Sequence, residues 1–198
     1  AVNNFPVSGQ PLPAPFIRAL LLAKRAAATA NGALEQIPSD MADAIRKAVD
    51  DLIDSDFMQH FPVDVYQTGS GTSSNMNANE VLATLATRIY GNHVGANDHI
   101  NAGQSSNDIT PSTIHISAAI ELEQQLLPAL THLMETTRKK AEQVDQYVKT
   151  GRTHLMDAMP VTFGQELRAW SSQLDAGLDR LVDARKRLHA LPQGGTAV

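Results

Sequence analysis

The sequence predicts an all-α chain, and three observations lead there. Its 198 residues are rich in alanine and leucine and only 5% aromatic, a bias towards good helix formers. Apolar residues recur at three- and four-residue spacing through several long segments. No stretch alternates with period two for long enough to suggest a strand. With 42% hydrophobic and 19% charged residues, the composition is that of a globular protein with a core.

The first helix follows Pro13 and Pro15 and is expected to fade near Asn31-Gly32. Ser39 is the expected N-cap of a second, in which Met41, Ile45, Val49 and Leu52 form one face and Asp40 suits the positive end. Phe61-Pro62 breaks that pattern. A polar segment, Gln67–Asn75, leads into a third helix with Val81, Leu82, Leu85 and Ile89 on one side and Gly91-Asn92 at its end. Thr110-Pro111 reads as cap and first turn of a long helix running through Ile114, Leu122, Leu126 and Leu133 to about Gln146, kinked at Pro128. The last helix opens on Thr162-Phe-Gly-Gln165, a capping-box pattern. It carries Leu167, Trp170, Leu174, Leu178, Leu181 and Leu188, with Trp170 expected in the core, and is stopped by Pro192 and Gly194-Gly195.

Charge and composition exclude several function classes. The net charge is −5 with no Lys/Arg cluster, so nucleic acid is not an expected partner. No apolar run is long enough to span a membrane, and the cytoplasm is the default location. Absence of cysteine removes disulfides, thiolate nucleophiles and Cys-based metal sites. His93, Asp98, His99 and Asp108 lie close in sequence but lack metal-ligand spacing, so no metal is expected. Gly69 and Gly71 hint at a dinucleotide loop, but Ser74 stands at the third glycine position and no strand precedes it.

Three polar segments remain, rich in neutral hydrogen-bond donors: Thr68–Asn75, Gln104–Asp108 and Thr150–Asp157. Singly, each is an ordinary loop or cap composition. Together they suit an anionic ligand, since hydroxyls, amides and the free N–H groups at helix N-termini can hold a carboxylate without a metal. In the third segment His154 lies beside Arg152, Thr153 and Asp157. A histidine can donate or accept a proton near neutral pH, and a carboxylate can orient it. His115, on the long helix, is read as packed or solvated.

Gly69-Ser-Gly-Thr-Ser-Ser-Asn-Met-Asn-Ala-Asn-Glu-Val81 and Gly151-Arg-Thr-His-Leu-Met-Asp-Ala-Met-Pro-Val-Thr162 resemble two conserved regions of the fumarase/aspartase superfamily. The resemblance spans almost the whole chain, and His154 with Ser105-Ser106-Asn107 sides with its class II fumarase branch, since aspartases typically carry Gln and Ser-Thr-Asn there. It implies an N-terminal helical domain over 1–104 and part of a central helical bundle over 105–198. The reaction it implies is reversible hydration of fumarate to L-malate in the tricarboxylic acid cycle, with no cofactor. Ser70, Gly71, Thr72, Ser105, Ser106, Asn107 and Thr153 would bind the dicarboxylate, and His154 would be catalytic. Asn97 and Asp98 correspond to an accessory anion site, although Gly95 and Ala102 stand where relatives carry His and Lys. The assembly implied is a homotetramer whose active sites draw on three subunits. A third conserved region, with a Gly-Ser-Ser loop and Met-Pro-x-Lys-x-Asn, does not occur here, so the chain is read as an N-terminal fragment, inactive alone.

Two alternatives stay open. Gly95 and Ala102 would also fit an aspartase-like ammonia-lyase of the same superfamily. The long helices without the third region would fit a catalytically inactive helical oligomerisation module.

Overall fold

A computed structural model describes residues 1–4 and 6–194; Gly195 and the three residues after it, named above in the helix stop and the bundle range, lie outside the described residues. Six α-helices account for most of them: α1 (Ala14–Ala33), α2 (Ser39–Ile53), α3 (Thr72–Tyr90), α4 (Ser106–Glu121), α5 (Leu127–Gln143) and α6 (Phe163–Leu188). Strands β1 (Val148–Thr153) and β2 (Met156–Thr162) form one antiparallel hairpin. The chain divides into two compact units, Ala1–Ser117 with the stretch from Ala190, and Ala118–His189.

The core of the first unit is built from α1, α2 and α3. Leu20, Leu21, Ile45, Val49 and Leu82 lie together within it, and Val94, Ile100 and Ile109 join them. Each such side chain contributes about 1.5–3 kcal/mol when fully buried. Near the end of α1, a Cβ on Gly32 would lie 2.7 Å from that of Ala42, so glycine permits the contact between α1 and α2. The N-terminal segment is held by Asp64, whose carboxylate accepts from the backbone of Ser8, Gly9 and Tyr66 at 2.7–2.8 Å.

Two helix starts differ from expectation. Ser39 is the first helical residue of α2 rather than its cap: Pro38 precedes the helix and no side chain caps it, while the Asp40 carboxylate accepts from the Met41 N–H. Likewise α4 begins at Ser106, which puts Pro111 inside it. Ser105 is what starts this helix, its carbonyl accepting from Asp108 and Ile109 and its hydroxyl from the Asn107 N–H. The carbonyl that Pro111 leaves without a donor belongs to exposed Asn107, where water can satisfy it.

In the second unit α5 packs against α6. The long helix expected to run to Gln146 opens into a π-helical turn at Leu122–Leu126, just before Pro128, and α5 resumes at Leu127. A wider turn moves the proline ring off the carbonyl four residues back, so the interruption falls ahead of the proline. The α6 capping box forms as expected: Thr162 Oγ1 accepts from the Gln165 N–H at 3.0 Å, and Gln165 Oε1 from the Thr162 N–H at 2.9 Å. Trp170, expected in the core, is 54% exposed, because few side chains of this two-helix unit are enclosed.

The hairpin was not expected. Its strands are exposed on both faces along most of their length, so no apolar face imposes alternation on the sequence. The register shifts between Thr150 and Arg152, and an added Cβ on the intervening Gly151 would meet the Met159 carbonyl at 2.6 Å. Glycine is therefore required at this bulge.

Candidate functional site

In the first unit the N-terminal ends of α3 and α4 adjoin. Gly71 precedes α3 in the left-handed conformation, φ +68°, and a Cβ there would lie 2.8 Å from Thr110 Cγ2 of α4. Both facts demand glycine. Ser70 and Thr72 flank it, their hydroxyls 2.8 Å apart and exposed. Behind them Gln67 closes the first turn of α3 with its own amide: Oε1 accepts from the Ser74 N–H at 2.9 Å and Nε2 donates to Ser74 Oγ at 2.8 Å. That leaves the Ser70 and Thr72 hydroxyls outside the capping arrangement and available to a ligand.

Across from them stands the start of α4. Ser105 caps it, Asn107 is exposed, and half-buried Ser106 accepts a hydrogen bond from Asn75 Nδ2 of α3 at 3.2 Å. Two of the three predicted polar segments are thus brought together, each at a helix N-terminus, where partial positive charge favours an anion.

The third segment belongs to the second unit. Thr153 pairs with Met156, which makes His154 and Leu155 the two-residue loop of the hairpin. Both have positive φ, 49° and 59°, as a tight I′-type hairpin turn requires. Such turns normally use Asn or Gly, and the left-handed conformation costs other residues about 1–3 kcal/mol each. His154 is exposed, and Asp157, its expected orienting carboxylate, is instead the register partner of Arg152.

The base of this hairpin is clamped. Asp145 accepts from Thr162 Oγ1 at 2.9 Å and from Arg168 at 2.5 Å. Those contacts, the Arg168 hydrogen bond foremost, hold its carboxyl below the usual range. Lys149 of β1 pairs with Glu166 of α6 at 2.7 Å. The tip is therefore carried on a braced stem rather than on a loose loop.

Asn97 and Asp98 sit exposed in a π-helical turn, Ala96–Ile100, beside a concavity that also includes Glu80, Arg88 and His93. His99 accepts from the Gly95 N–H through Nδ1 at 2.8 Å. Among the described residues no three His, Asp or Glu side chains gather as a metal site would need, and no helix is long and apolar enough to cross a membrane.

The family model for lyases matches residues 4–198. This chain belongs to the lyase family. Among the lyases it resembles, it is 61% identical over 198 residues to fumarate hydratase class II 2 of Pseudomonas aeruginosa, covering all of this chain and 43% of that protein. It is 54% identical to the class II fumarate hydratase of Xylella fastidiosa, again over its full length and 42% of the relative. The crystal structure of a class II fumarase from Schistosoma mansoni superposes with a TM-score of 0.93 at 38% identity, covering 100% of this chain and 43% of that one. The lyase chain thus spans about two-fifths of the length of these relatives, and its helical fold is theirs. Reasoning from the sequence missed one part of this lyase's polar network, Lys24 with Asn101. A visible signal was the lysine in the otherwise apolar stripe Leu20–Lys24–Ala28 of α1.

Proposed function

We propose that this chain serves the reversible hydration of fumarate to L-malate. The observation that carries the reading is His154, a titratable side chain held at positive φ on a braced hairpin tip with Thr153 beside it. Support comes from the similarity to class II fumarate hydratases and from the two adjoining helix N-termini, whose hydroxyls suit a carboxylate.

Elimination of water from malate passes a proton from the carbon next to one carboxylate to a base, a role that the family resemblance assigns to its third conserved region, and spreads negative charge onto that carboxylate. Donors already in place stabilise that charge more in the transition state than in the substrate. Ser70, Thr72 and the Gly71 backbone bind substrate from the α3 end, and Ser105, Ser106 and Asn107 from the α4 end. Thr153 binds a carboxylate, and His154 handles the proton that joins the departing hydroxyl, or leaves the attacking water in reverse. No metal or organic cofactor enters this scheme. We place the protein in the cytoplasm and in the tricarboxylic acid cycle, as a homotetramer whose sites draw on several subunits, with residues 1–104 as the N-terminal domain and 105–198 within the central bundle. Asn97 and Asp98 remain the candidate accessory anion site.

The test is fumarate formation from L-malate by the full-length protein, with His154→Asn as control. Turnover that falls at least a hundredfold in the variant is expected; equal rates would sink the role of His154. A second reading, elimination of ammonia from an aspartate-like substrate, is favoured by Gly95 and Ala102 alone. Ammonia release from L-aspartate with no fumarate from malate would replace the first reading by the second.

A further inference from the structure

Three donors converge on one oxygen in the interior of the first unit. Lys24 of α1 is 1% exposed, and its ammonium donates to Asn101 Oδ1 and Gln104 Oε1, both at 2.9 Å. Burial lowers its pKa to about 7. The same Asn101 Oδ1 accepts from Asn75 Nδ2 and Asn79 Nδ2, each at 3.2 Å. Asn101 Nδ2 donates to the Gln104 carbonyl, and Gln104 Nε2 to the carbonyls of Ile100 and Ala102. The chain of bonds ends at Ser106, whose Oγ accepts from Asn75 Nδ2.

A carboxamide can turn over with almost no change of shape, so a network of amides has a direction only if something imposes it. Lys24 in its charged form does: an ammonium has three donors and no acceptor, so Asn101 must face it with oxygen. The Gln104 carbonyl, which can only accept, holds the Asn101 NH₂ on the other side. Asn75 must then present its NH₂ to Asn101, and the same group meets Ser106. The Ser106 oxygen accepts there, which leaves its proton free to point elsewhere. With the Asn75 amide reversed, Ser106 would spend its proton on Asn75 and offer only lone pairs to an anion.

We propose that Lys24 is a positioning residue for the dicarboxylate site: through Asn101 and Asn75 it fixes the direction of the amide network so that Ser106 offers its proton to a substrate carboxylate. This rests on Ser106 being a carboxylate ligand, as in the function proposed above.

The test is a double-mutant cycle in the full-length protein, reading kcat and KM for L-malate. Ser106→Ala is expected to raise KM roughly tenfold or more, the loss of one hydrogen bond to a charged group. Lys24→Met should raise KM to a similar extent, and the double variant should be no worse than Ser106→Ala. A purely structural lysine predicts multiplied effects instead, so multiplication, or an unchanged KM in Lys24→Met beside a raised one in Ser106→Ala, would overturn the proposal. If Lys24→Met does not fold, Lys24→Gln replaces it, since it removes the obligate donor that faces Asn101 Oδ1; the same two outcomes apply. An unchanged KM in Ser106→Ala would remove Ser106 from the site and this role of Lys24 with it, while malate turnover itself would still stand for the proposed reaction.

Discussion

Single side chains carry charge into places where pH can read it. Asp64 is enclosed, and loss of water works to raise its pKa. The N–H groups of Tyr66, Ser8 and Gly9 and the Ser8 hydroxyl outweigh that and hold the carboxyl at about 2, below its ordinary 3.8. A depressed carboxyl contributes stability that is fully present above the unfolded-state value and lost as pH falls towards the folded one. Melting temperature should therefore drop from about pH 4 to pH 2 in the wild type, and less steeply in Asp64→Asn. Amide exchange at Ser8 and Gly9 should be faster in that variant at neutral pH; unchanged exchange would show that the carboxylate does not pin the segment. Lys24 is the opposite case, a base whose charge burial disfavours. Both groups escape a reading of composition, because a net charge of −5 says nothing of which charges are enclosed.

Among the elements, the helices were the legible part. An alanine-rich stretch after Pro13 and Pro15 announced α1, periodic apolar residues announced α2 and α3, and Thr162-x-x-Gln165 announced the start of α6, since capping depends on neighbours a turn away. The hairpin was illegible for a physical reason. A strand shows period two when one face is buried, and β1 and β2 are exposed on both. Its turn was equally hidden, because His154-Leu155 is not a turn dipeptide. That mismatch has a measurable consequence. Leu155 is fully exposed and held at φ 59°, so Leu155→Gly gives up little burial and relieves strain. We expect it to stabilise the chain by about 1 kcal/mol, read by chemical denaturation. A loss of stability would mean that the leucine is held by contacts of the assembled protein.

For the molecule as a whole, the second unit leaves apolar surface open. Leu126, Leu133 and Trp170 on and around α5 and α6 are 44%, 49% and 54% exposed. Beside them Leu122, Leu126, Leu181 and Leu188 line one apolar concavity, and apolar area of this kind is normally covered by another surface, which supports the proposed homotetramer. Light scattering should give a mass above that of one chain, and Leu133→Glu should shift it towards the monomer. A wild-type monomer at high concentration would count against the assembly.

The sequence alone settled local matters: where the main helices lie, where α6 begins, and which polar stretches are rich in hydrogen-bond donors. It also contained the motifs that mark the family, because those are contiguous runs of residues. It could not show that Gln67 caps α3, that Ser106 meets Asn75, or that Lys24 is enclosed between the amides of Asn101 and Gln104. Those facts depend on contacts between residues up to 80 positions apart, and only folding sets which of them meet. The His154 conformation belongs with them, since its cost is met by the braced strands on either side rather than by the preference of the residue.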